Sequence, residues 1–110
     1  MSNPTGYPVG HTLSFQVGPM TIEHEIVSES RFNARHVAGP MAGTAETMNY
    51  SAALLRPGLF LVAWQEADQS TVVHIEDFEA GTVQVALTTA ELTFMQFAGT
   101  MKRAGQAATP

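Results

Sequence analysis

The chain has 110 residues, no cysteine and a formal net charge of −5, from five Lys and Arg against ten Asp and Glu. That length fits one domain with a modest core, and the missing thiols exclude disulfide and cysteine chemistry. The acidic balance, with Arg31, Arg35, Arg56, Lys102 and Arg103 scattered along the chain, argues against nucleic acid, which needs a basic footprint, and no apolar run reaches bilayer-spanning length.

Residues 1–10, MSNPTGYPVG, hold two Pro and two Gly and read as a loose arm. They have neither the basic flank nor the apolar run of a secretory leader, so a cytoplasmic protein is expected. Eight short runs follow, approximately 11–17, 20–28, 31–38, 44–55, 59–67, 71–79, 82–89 and 93–102. They are cut by turn signals at Gly18-Pro19, Ser28–Ser30, Gly39-Pro40 with Gly43, Arg56-Pro57-Gly58, Ala67–Ser70, Ala80-Gly81 and Thr89–Glu91. The tail 104–110, AGQAATP, reads as frayed.

In the second run, period two puts Ile22, His24 and Ile26 on one face and Glu23 and Glu25 on the other, which points His24 inward. The third run gives no clean face; Arg35 shares a side with Asn33 and Val37. The fourth, AETMNYSAALL, has the Ala, Met and Leu of a helix as well as a strand pattern. As a strand it places Glu46, Met48, Tyr50, Ala52 and Leu54 on one face. The fifth run is apolar on both faces: Phe60, Val62, Trp64 and Glu66 alternate with Leu59, Leu61, Ala63 and Gln65. Such a strand has both sides covered, one by the interior and the other by a second copy of the chain, so a homodimer is expected. The sixth run carries Val72, His74, Glu76 and Phe78 on one face and Thr71, Val73, Ile75 and Asp77 on the other. A two-residue turn before it sets Trp64 opposite Val73 and His74 outside; a three-residue turn sets Trp64 opposite Val72 and His74 inside.

Eight short antiparallel runs without helices suggest a meander, and closure removes its two exposed edges. The expected fold is all-β: a single domain over residues 1–110 with loose termini, forming an eight-stranded antiparallel up-and-down barrel that can hold one small ligand.

The run from Gly58 to Phe78, with its Trp64-x-Glu66 and His74-x-x-Asp77-Phe78, then Ala80-Gly-Thr-Val83 and a last strand ending Gly99-Thr100, resembles the MoaF-like family. The resemblance implies a lipocalin-like (calycin) barrel. A more distant likeness, from Gly58 to Val72, is to phenolic acid decarboxylases, whose Trp-Thr-Glu carboxylate points into the barrel and takes part in catalysis; Glu66 matches it. Their substrate-binding arginine is replaced by Thr44, and their paired tyrosines fall on Leu13 and Phe15. This likeness favours Val72 and His74 inward and puts decarboxylation of a phenolic acid in doubt.

Together these readings suggest a cavity for a small apolar or aromatic molecule and cofactor-independent acid/base chemistry of the decarboxylase, isomerase, cyclase or lyase type. Glu66 would be the acid or base, its pKa raised by desolvation beside an indole. His74 and His24 would orient the substrate or relay the proton. Trp64, Tyr50, Glu46 and Phe15 would form the wall, and Arg35 could supply the cation that Thr44 does not. The bland alternatives are a solvated Glu66 at a strand end and hydrogen-bonded structural imidazoles. No compact ligand spacing such as His-Glu-x-x-His is present, so no metal is expected. The rival function is a lipocalin-like carrier or sensor that transforms nothing.

Overall fold

A computed structural model describes residues 6–104. Eight strands follow in order: β1 (Thr12–Val17), β2 (Met20–Ile26), β3 (Arg31–Ala38), β4 (Ala45–Arg56), β5 (Leu59–Gln65), β6 (Thr71–Asp77), β7 (Thr82–Thr88) and β8 (Phe94–Arg103). Each pairs antiparallel with its neighbour, and β8 returns to β1, closing the barrel. The fourth run is a strand, paired on both sides; neighbours on each flank override its mixed propensity.

The turn between β5 and β6 settles which side chains enter. Glu66 N–H donates to the Ser70 carbonyl at 2.8 Å and Gln69 N–H to the Glu66 carbonyl at 2.9 Å. The loop proper is therefore Ala67-Asp68-Gln69, with Gln69 left-handed at φ 76°. This is a type I turn followed by a bulge residue. Asp68 accepts from Ser70 N–H at 2.9 Å. Trp64 then faces Val72, and Val62 faces His74. The three-residue alternative holds, and His74 points inward.

The barrel has two unlike ends. At one, the arm before β1 crosses the opening and drops Tyr7 into it, leaving that residue 2 % exposed. Its ring packs against Phe60 (5.2 Å between centroids), Tyr50 (5.6 Å) and Phe78 (6.2 Å). The expected loose arm is thus anchored at Tyr7 and Pro8, both buried; its first five residues, and the tail beyond residue 104, lie outside the described residues. Leu13, Ile26, Val62 and Val83 fill the space behind this plug. At the other end, the interior widens.

Closure between β1 and β8 spans only Leu13 to Gln16 against Thr100 to Arg103. Gly99 sits where β8 leaves this seam, and a Cβ there would collide with the Gln16 carbonyl oxygen and press on Val17. Outside the barrel, Leu61, Ala63, Val73 and Ile75 of β5 and β6 form a half-buried apolar face.

Candidate functional site

The wide end holds a cavity of about 470 Å³. That volume falls in the range of small-molecule pockets. Its walls come from alternate residues of most strands: Phe15 of β1, His24 of β2, Phe32 of β3, Trp64 of β5, His74 of β6 and Val85 of β7. The mouth lies among the β1–β2, β3–β4, β5–β6 and β7–β8 turns, with Met41, Thr44, Glu46, Glu66 and Phe97 around it.

Six of the expected site residues line this chamber: Glu66, His74, His24, Trp64, Glu46 and Phe15. Their rings interlock. His24 stacks on Phe32 at 4.1 Å and lies parallel to His74 at 5.8 Å. Trp64 meets His74 edge-on at 4.7 Å, and Phe15 contacts both imidazoles at 4.8 and 5.0 Å.

Two expected residues are elsewhere. Arg35 stands on the outer face of β3, exposed, and pairs with Glu23. The β3 register turns Phe32 and Ala34 inward and the odd-numbered residues outward, so Arg35 supplies no cation to the chamber. Tyr50 points inward but in the packed half, where its hydroxyl donates to the Ser28 carbonyl at 2.6 Å. It lies behind Phe32 rather than in the chamber wall. Burial pushes its phenol up to about 12.

The residue not anticipated is Glu76. It is wholly buried, 0 % exposed. One carboxylate oxygen, Oε2, lies 2.9 Å from His74 Nδ1. The other, Oε1, accepts from the Tyr7 hydroxyl at 2.8 Å. Burial and the Glu76 charge push the Tyr7 phenol up, so it stays a donor. The Tyr7 hydroxyl donates to one oxygen, and the other pairs with His74 Nδ1, the donor being set by the imidazole tautomer. With the ring proton on Nδ1, Nε2 is the ring's other functional atom. The period-two pairing of His74 with Glu76 was visible in the sequence; the Tyr7 contact was not. His36 of β3 also lines the chamber, on the face opposite to the Arg35 side of that strand.

His24 is 3 % exposed. Burial, then the nearby His74 and His36, hold its pKa well below the usual imidazole value, so it is neutral. Its Nδ1 and that of His36 are buried with no hydrogen-bond partner. Glu66 is half-buried beside Trp64, whose indole N–H approaches Oε2 at 3.4 Å. Burial raises the Glu66 carboxyl; the indole contact opposes this, and Glu46 and Asp68 add to the rise. Among the described residues, no group of three or more His, Cys, Asp and Glu side chains could hold a metal ion.

A family model described as MoaF-like matches residues 9–102. Fifteen solved chains match the fold. One is a crystal structure from Burkholderia vietnamiensis, provisionally described as a beta-lactamase. It is 30% identical, covers 87% of this chain and 94% of its own, and superposes with a TM-score of 0.83. None of the curated proteins matches at a significant level.

Proposed function

The chain belongs to the MoaF-like family, and from that premise we propose that it takes a small apolar or aromatic molecule into the chamber and moves a proton on it without a bound cofactor. The reaction would be a decarboxylation, isomerisation, cyclisation or lyase-type elimination. One observation carries this reading: the buried Tyr7–Glu76–His74 chain abuts the chamber wall. A carboxylate hidden in a small barrel costs several kcal/mol of desolvation unless fully partnered. Here both oxygens are partnered, and the partner facing the chamber is an imidazole. Glu76 fixes the tautomer and orientation of His74, as the acidic member of a catalytic triad does, and leaves Nε2 to accept a proton from the ligand.

Glu66 at the mouth is the complementary acid. A carboxyl with a raised pKa can return a proton, and a positioned acid or base contributes about 10²–10⁴-fold. His24, neutral, stacked on Phe32 and parallel to His74, would hold the ligand ring.

The Burkholderia structure's description raises beta-lactam hydrolysis as another reading. The chamber lining contains no serine, and the only hydroxyl among its residues is that of Thr44. No nucleophile therefore stands beside His74, and the acid/base reading is preferred. The carrier reading differs from it in one measurable respect. In D₂O an acid/base enzyme exchanges an activated C–H of its ligand for deuterium, whereas a carrier does not. Ligands found by quenching of Trp64, the chain's single tryptophan, should gain deuterium by mass spectrometry with the native protein and not with His74→Gln. Binding of many ligands without exchange in any of them would favour the carrier.

A further inference from the structure

Among the chamber's lining side chains are two carboxylates, Glu46 and Glu66, and three imidazoles, His24, His36 and His74, but neither lysine nor arginine. The chain's five cations are placed elsewhere. Arg35 pairs with Glu23 outside the barrel, and Arg56 lies 3.7 Å from Asp77 at the plugged end. Arg31 is exposed at the start of β3, and Lys102 and Arg103 end β8 beside β1. A third carboxylate, Glu76, lies under the His74 ring edge.

A carboxylate ligand entering this chamber would pass the acidic side chains of Glu46 and Glu66, lose its water and find neither lysine nor arginine. Burying an uncompensated charge is among the most costly steps in recognition. His24 supplies no counter-charge, because burial keeps it neutral. A neutral aromatic ligand meets none of these penalties. Its ring replaces water against Phe15, Phe32 and Trp64, and a hydroxyl or carbonyl group finds imidazole nitrogens. An ammonium gains further, from the mouth carboxylates and from the aromatic faces.

Resting on the reading of the chamber as the ligand site, we infer that its ligand is a neutral or amine-bearing aromatic molecule and that carboxylic acids are rejected. Among the reactions above this removes decarboxylation and leaves isomerisation, cyclisation and elimination on an uncharged or cationic substrate.

Three probes of one shape test the inference: 2-phenylethanol, phenethylamine and phenylacetate, titrated at pH 7.5 with Trp64 fluorescence as the signal. The alcohol and the amine should bind, with phenylacetate weaker by about tenfold or more. Glu46→Gln with Glu66→Gln should narrow the gap between amine and acid; Glu46→Gln alone serves if the double variant does not fold. Phenylacetate binding as tightly as the alcohol would overturn the charge selection while leaving the chamber a ligand site. Failure of all three to perturb Trp64 up to their solubility would overturn the ligand-site reading, and the charge selection with it.

Discussion

His74 Nδ1 lies 2.9 Å from Glu76 Oε2, inside a barrel where that carboxylate has no contact with solvent. The pair is completed by Tyr7, which comes from before the first strand and holds the second oxygen. Tyr7→Phe should therefore destabilise the fold by about 1–3 kcal/mol, since an oxygen is left unsatisfied without a large change in shape. Glu76→Ala should cost more, about 3–5 kcal/mol, because a cavity and an unpartnered imidazole result together. Urea midpoints measure both. Nitrogen-15 NMR of the histidine rings should show His74 with its proton on Nδ1 in the native protein. Equal loss of stability in the two variants would argue against a charged Glu76.

Glu66→Gln should slow proton exchange on the ligand by about 10²–10⁴-fold while leaving folding and the affinity for an uncharged ligand largely intact. The carboxyl is half-buried and its pKa is raised, chiefly by burial. A raised acid contributes stability that is full below its unfolded value of 4.5 and is lost as pH climbs through the folded value. Glu66→Gln should therefore flatten the decline in urea midpoint above pH 4.5. Exchange activity unaffected by the change would remove Glu66 from the mechanism.

His24 acts with the opposite sign. Its folded pKa is lowered, so the unfolded chain takes up a proton near 6.5 that the folded chain refuses. Stability from this source is complete above that pH and falls below it, by at most about 1.4 kcal/mol per pH unit. Between pH 6.5 and 5 the native protein should lose stability faster than His24→Gln, as followed by thermal melts across that range. Parallel curves would show that His24 is charged in the fold.

Gly99→Ala tests the closure of the barrel. The new Cβ meets the Gln16 backbone, which cannot rotate away as a side chain can. The seam must then open or the strands shift, at a cost of about 1–3 kcal/mol. Amide hydrogen exchange should rise first at Gln16 and Thr100, which face each other across the seam. Protection unchanged there would mean that β8 accommodates the methyl group by local bending.

Alternation in β2, β5 and β6 made most of this legible. The barrel, the inward His24 and the Trp64–Glu66 face follow from period two and from the need to hide sheet edges. The His74 register could not be read from β6 alone, because both its faces mix apolar and polar residues and the choice rests on Gln69 adopting a left-handed backbone. Arg35 went astray for a similar reason. Residues 31–38 alternate Arg31, Asn33, Arg35 and Val37 with Phe32, Ala34, His36 and Ala38, so each side carries one exception, and pairing with β2 and β4 sets the second side inward. Tyr7 was hidden more deeply. It belongs to no strand, and an arm rich in Pro and Gly carries no periodicity from which a buried contact 69 residues away could be inferred.

Because Tyr7 stoppers one end of the cylinder, traffic is confined to a single doorway. On the proposed acid/base reading, whatever is made inside would back out past Glu46 and Glu66 before the next molecule enters, so product and substrate would compete for the same passage.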